Sequence, residues 1–202
     1  MALRLGVLAS GSGTNFQVLA EGAQTGELPV QIAVLIYNNP DAYVAQRAKA
    51  LGIPAVLLDH RLYQSREALD EQIALTLEAH AVELVVMAGW MRRVTAVLID
   101  RFADRILNVH PSLLPSFRGA KAIEQALDYG VKVTGCSVHI VRLEVDAGPI
   151  ILQSPVEVRE DDTPATLAER IHAQEYRILP EAVRLFAEGR IAIEGNRARL
   201  YL

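Results

Sequence analysis

The chain has little with which to build cross-links, stacking platforms or membrane spans. It carries one cysteine, Cys136, in 202 residues. A single thiol excludes an internal disulfide and a zinc site built from cysteines, and it points to a reducing compartment, the cytoplasm. Aromatic residues make up only 5%, so the core has to be aliphatic and base-stacking on aromatic platforms is disfavoured. There is no excess of positive charge: 20 Lys and Arg stand against 24 Asp and Glu, a net of −4. That balance argues against nucleic acid and against an anionic membrane surface as partners. No run approaches about 18 uninterrupted apolar residues, so no segment is expected to span a bilayer. The apolar start is shorter than a signal peptide requires and runs straight into Ser10-Gly11-Ser12-Gly13. Low-complexity tracts and repeats are missing as well.

What is present is globular: 51% hydrophobic and 22% charged residues. The length favours a single domain, 1–202, able to bury roughly 70% of its unfolded surface. Short aliphatic runs at Leu3–Ala9, Val30–Tyr37, Ala55–Leu58, Leu84–Ala88 and Ile106–Val109 read as strands. Helical patterns lie between them at Asn15–Ala23, Asp41–Leu51, Arg66–Ala79 and Ala96–Arg101. This alternation predicts an α/β, Rossmann-like fold, a mostly parallel sheet with helices on both faces. Beyond Gly119 the rhythm changes. A helix at Lys121–Leu127 is followed by strand runs at Lys132–Val141 and Ile150–Val158, which predict an antiparallel C-terminal edge. A long helix at Thr166–Glu188 and a hairpin at Gly195-Asn196 complete the chain, with Pro180 expected to kink or break the helix.

Three motifs carry chemistry. Ser10-Gly-Ser-Gly-Thr-Asn15 follows the first strand and opens the first helix. Its glycines allow a tight turn, and N–H groups at a helix start favour a phosphate. It lacks the Gly-Lys-Ser/Thr ending of a P-loop and the third glycine of a dinucleotide fingerprint; a monophosphate cradle or a plain turn remain. Asn108-Val-His-Pro-Ser-Leu-Leu-Pro115 ends a central strand. Residues i and i+2 of a strand share a face, so Asn108 and His110 point together toward the crevice where open α/β sheets bind ligands. An amide can donate to an oxyanion, and an imidazole can supply a proton or a charge. Asp146-Ala-Gly-Pro149 lies in a loop between two late strands. A carboxylate there could orient an imidazole or simply form a turn. His60 and His80 read as solvated, His139 as bordering the site, His172 as helix surface and Cys136 as a small buried residue. No ligands stand at metal-binding spacing, so no metal is expected.

These residues, with Ala88-Gly-Trp-Met-Arg92, Gly135-Cys-Ser-Val-His139 and Gln174-Glu175, resemble the folate-dependent formyltransferases over nearly the whole chain. Within them the glycine loop is similar to that of the phosphoribosylglycinamide formyltransferases. The resemblance implies transfer of a formyl group from 10-formyltetrahydrofolate, a co-substrate, to the amine of glycinamide ribonucleotide in purine biosynthesis. No covalently bound cofactor, metal, nucleic acid or membrane is implied, and the chain would act as a monomer or homodimer. Asn108 and His110 would stabilise the oxyanion and Asp146 would keep His110 charged. Ser12, Gly13, Thr14 and Asn15 would hold the phosphate, and Gln174 and Glu175 the rest of the ribonucleotide. Arg66, Met91, Arg92, Arg93 and Val94, with Asn108, Arg142, Leu143, Glu144, Val145 and Asp146, would line the folate pocket. The phosphate-binding half would be about 1–105 and the folate and catalytic half about 106–202. The chain departs from the family at Trp90, Arg93, Arg118, Lys121 and His172. A transfer RNA formyltransferase would carry a further C-terminal domain and a basic surface. A formyltetrahydrofolate deformylase would carry an extra N-terminal domain. A non-catalytic nucleotide-binding module would have no need for Asn108, His110 and Asp146 together.

Overall fold

The computed structural model describes residues 2–201; residues 1 and 202, the ends of the expected domain, lie outside the described residues. The chain forms two compact units that divide between Leu107 and Asn108.

The first unit holds β1 (Leu3–Ala9), α1 (Thr14–Thr25), β2 (Val30–Tyr37), α2 (Val44–Ala50), β3 (Ala55–Leu57), α3 (Arg66–Ala79), β4 (Leu84–Met87) and α4 (Ala96–Arg101). A short 3-10 turn at His60–Leu62 precedes α3. β1 pairs in parallel with both β2 and β4, and β2 with β3. The strand order is therefore β3-β2-β1-β4, with β5 (Ile106–His110), the strand on which the division falls, next in order. The chain winds outward from β1 to β3 and then returns across β1 to β4. Right-handed crossovers put the helices of these two directions on opposite faces. In keeping with that, α1 packs on α2 and α3 on α4. Two-sided cover explains why β4 is buried along its whole length and why its residues are all apolar. The reversal makes the carboxyl ends of β1 and β4 a topological switch point, where such sheets open a crevice.

The second unit continues with α5 (Ala122–Tyr129), β6 (Val133–Ile140), β7 (Ile150–Glu157), α6 (Pro164–Ala187) and the hairpin β8 (Ile191–Glu194) and β9 (Arg197–Leu200). β6 follows β5 in strand order and pairs antiparallel with β7, so the sheet is mixed, as expected of its C-terminal edge. α6 packs on β6 and β7. It starts with Thr163 and Thr166 capping one another and Pro164 in the first turn, where a missing N–H costs nothing. Of the kink or break expected at Pro180, the break does not occur: α6 runs as one helix from Pro164 to Ala187. An interior proline costs about 3 kcal/mol. Burial of Ile178, Leu179, Ala182 and Val183 on either side of it, at roughly 1.5–3 kcal/mol for each larger side chain, outweighs that cost and holds the two halves as one helix.

Candidate active site

In the first unit the loop after β1 is built by its backbone. Gly13 caps α1 at φ 74, in the left-handed region that a side chain disfavours. A Cβ there would also run into Val44, whose own Cβ lies 2.6 Å away. The loop carbonyls are engaged by donors of α1 and α2. Gly11 accepts from the Val44 N–H at 3.1 Å, Gly13 accepts from Gln17 at 2.9 Å, and Ser12 accepts from Arg47 Nε at 2.8 Å. The first N–H groups of a helix have no acceptor within it, and Gly13 brings no side chain to cap them. Thr14 and Asn15 lie in that turn and are half-buried, while Ser12 is exposed. Arg47 adds a cation beside the loop; no sequence motif marked it.

The segment after β4 carries the other expected binding residues of this unit. Met91 is 76% exposed. Arg93 is exposed and Arg92 and Val94 are half-buried. Arg66 stands exposed at the start of α3, beyond the Ser65 cap. The two histidines read as solvated are in fact half-buried. His60 Nδ1 lies 3.0 Å from the Asn38 carbonyl and His80 Nδ1 lies 2.8 Å from that of Thr76.

The second unit gathers side chains. Asp146, 10% exposed, faces four polar groups. Its Oδ2 accepts from the Gly119 N–H at 2.9 Å and lies 3.4 Å from His110 Nδ1. Its Oδ1 lies 3.4 Å from Asn108 Nδ2 and 3.5 Å from His139 Nε2. Burial alone would raise this carboxyl. The His139 hydrogen bond, the His110 charge and the Gly119 N–H together outweigh burial and hold it below the ordinary carboxylate value. His110 is buried, and its Nε2 lies 2.9 Å from the Phe117 carbonyl. Both partners of the ring are acceptors. Asn108 Nδ2 also lies 3.2 Å from His139 Nε2. Asn108, His110 and Asp146, separated along the chain, are thus brought together, with His139 as a fourth member. It was expected to border the site, and its place on β6 beside β5 puts it there. Phe117 (φ 54) and Asp146 (φ 51) both adopt left-handed backbone; aspartate tolerates it, while phenylalanine rarely does.

The remaining expected residues are more scattered. Arg142 and Val145 are half-buried, and Leu143 and Glu144 are exposed. Glu144 pairs with Arg118 at 2.7 Å. A cavity of about 340 Å3 is lined by Asp146, Gly148, Leu114, Pro115, Arg118 and the hairpin residues Asn196–Ala198. On α6, Glu175 is 5% exposed. Gln174 is occupied by Ser154, whose hydroxyl donates to it at 2.9 Å. His172 is exposed and stacks on Tyr176, and Cys136 is fully buried. Among the described residues no group of three or more His, Cys, Asp or Glu side chains could hold a metal ion. No helix among them is long and apolar enough to cross a membrane.

A family model described as formyl transferase matches residues 3–183. The phosphoribosylglycinamide formyltransferase of Haemophilus influenzae is 38% identical over 197 residues, 98% of this chain and 93% of that protein. The human trifunctional purine biosynthetic protein adenosine-3 is 42% identical over 193 residues, 96% of this chain. The chain spans only 19% of the length of that relative, and the same share of its bovine and chicken counterparts. The crystal structure of glycinamide ribonucleotide transformylase 1 from Symbiobacterium toebii superposes with a TM-score of 0.98 at 51% identity. It covers 99% of this chain and 94% of its own.

Proposed function

This chain belongs to the formyl transferase family, and we propose that it acts as a phosphoribosylglycinamide formyltransferase in purine biosynthesis. It transfers the formyl group of 10-formyltetrahydrofolate to the amine of 5-phosphoribosylglycinamide. The observation that carries the reading is the Asn108–His110–Asp146 cluster in a chain that matches the family along most of its length. The amine attacks the formyl carbon and a C–N bond forms. The carbonyl electrons move to oxygen, and the tetrahedral intermediate collapses as the bond to folate N10 breaks. The amine loses one proton and N10 gains one, so the step balances without an oxidant or a metal.

Asn108 and protonated His110 donate to the developing oxyanion, an electrostatic role worth about 3–4 kcal/mol per donor in comparable sites. Asp146 keeps His110 oriented. To take this part, His110 Nε2 has to exchange the Phe117 carbonyl for the formyl oxygen. Ser12, Gly13, Thr14 and Asn15 hold the ribonucleotide phosphate, supported by loop carbonyls that are already engaged by other donors. Gln174 and Glu175 hold its ribose and glycinamide end. Arg66, the 91–94 segment, Asn108 and residues 142–146 receive the folate. Residues 1–202 work as one formyltransferase domain, with the phosphate half about 1–105 and the folate half about 106–202. The setting is the cytoplasm, supported by the buried lone thiol; a monomer or a homodimer suffices, and no nucleic acid, membrane or metal takes part.

The test is turnover of a 10-formylfolate followed by absorbance of the deformylated product. Release that depends on glycinamide ribonucleotide supports the reading. Release without it would make the protein a deformylase, and release that requires transfer RNA would place it in another branch.

A further inference from the structure

We propose that Ser10 mechanically couples the ribonucleotide loop to the folate-side segment 89–94, so that filling either subsite tightens the other, and that Asp70 holds the far end of that segment. The inference rests on the substrate assignment above, but the device lies wholly within the first unit. The loop leaving β1 and the segment leaving β4 emerge side by side at the switch point, because those strands are paired neighbours. Ser10 joins them twice. Its N–H donates to the Gly89 carbonyl at 3.1 Å, and its Oγ accepts from the Met91 N–H at 2.9 Å. Gly89, at φ 77, makes the turn that brings the Met91 N–H back toward Ser10.

The next two residues have no slack. The Gly11 carbonyl is held by Val44 and the Ser12 carbonyl by Arg47. A shift of the loop toward a bound phosphate is therefore passed on through Ser10 and is not absorbed at 11–12. At the other end, Asp70, which is 2% exposed, accepts from the Thr95 N–H through Oδ2 at 2.5 Å. Residues 91–94 thus span two fixed points, with Met91 exposed between them. A motion delivered at one end has to appear in the segment itself.

Ser10→Ala removes only the hydroxyl arm and leaves the Gly89 bond. The experiment is calorimetric binding of a formyl-free dideazafolate with and without saturating glycinamide ribonucleotide. The wild-type protein should bind the folate analogue about 3- to 10-fold more tightly when the ribonucleotide is present, the span that one hydrogen bond can carry. In Ser10→Ala the ratio should fall to near one, and Ser10→Thr, which keeps the hydroxyl, should restore it. A wild-type ratio in Ser10→Ala, or no coupling in the wild type, overturns the proposal while leaving the substrate assignment intact. Failure of the wild type to bind either ligand overturns both. A readout that needs no variant is hydrogen exchange at the Met91 amide. It should slow at least about 3-fold on ribonucleotide saturation, and unchanged exchange would count against the coupling.

Discussion

The two units each bury an aspartate, and they treat it in opposite ways. In the first, Asp70 takes its hydrogen bonds from Thr95 and has no histidine beside it, and burial raises its carboxyl above the ordinary value. In the second, Asp146 is also raised by burial, but two histidines and a backbone N–H outweigh it and the carboxyl ends below that value. Burial alone therefore says nothing about whether a carboxylate is primed for chemistry; the cations around it decide. The contrast extends to how each unit makes a binding surface. The first arranges backbone groups around Gly13 and needs little side-chain chemistry. The second packs Asn108, His110 and His139 each within 3.5 Å of Asp146.

The largest effect that would test this contrast is on turnover. His110→Ala and Asp146→Asn should each lower kcat by about 100-fold or more, with KM for both substrates changed only a few fold and the melting temperature nearly kept. Asp146 sits in left-handed backbone, which asparagine also tolerates, so the fold should survive. Wild-type kcat in either variant would mean that the side-chain cluster is structural, like Asp70.

Next in size is the backbone-built surface. Gly13→Val forces a side chain onto Val44 and onto a left-handed φ. It should raise the ribonucleotide KM at least about 10-fold and cost about 1–3 kcal/mol of stability. KM for the folate should move much less in steady-state kinetics. Equal loss of both would erase the distinction between the halves.

Acid stability should separate the two aspartates directly. The lowered Asp146 carboxyl contributes stability that is present above the ordinary value of 3.8 and is lost as pH falls through its own lower value. Melting temperature followed from pH 6 down to pH 2 should therefore fall more steeply in the wild type than in Asp146→Asn. Identical acid limbs would show that the histidines do not hold this charge.

The smallest effect belongs to Asp70. Its raised carboxyl favours the folded state when protonated, and that contribution is lost as pH rises through the raised value. Asp70→Asn keeps an acceptor for Thr95 and removes the buried charge. It should gain about 1–3 °C at pH 7 and nothing at pH 3. A loss at pH 7 would show that the Thr95 bond needs a full negative charge.

Much of the framework could be read from residue order. Aliphatic runs gave the first two strands their limits, Leu3–Ala9 and Val30–Tyr37, and Arg66–Ala79 and Ala96–Arg101 matched as helices, because capping residues and breakers bound these elements locally. α2 begins at Val44, not Asp41, since Ala42 is still engaged in a turn on the Asn39 carbonyl. Pro180 does not end α6 because propensity is local, whereas the burial that overrides it is tertiary. At the site, the pairing of Asn108 and His110 followed from strand periodicity. The approach of Asp146 followed from no pattern in the residues and came from resemblance alone. The Phe117 carbonyl on His110 Nε2 was beyond reach, because it depends on a left-handed phenylalanine that no propensity favours. Arg47 at the Ser12 carbonyl was likewise invisible, being one helix-surface arginine among many.

The buried position of Cys136 has a practical side. Burial first, and then the nearby Glu175 charge, push its thiol up to about 12, so at neutral pH it is both shielded and un-ionised, and thiol reagents should pass it by. No other cysteine is present in the chain. A cysteine installed at the exposed Met91 position would therefore be the sole reactive handle without any background to engineer away. A spin label or fluorophore placed there could report motion of the 89–94 segment.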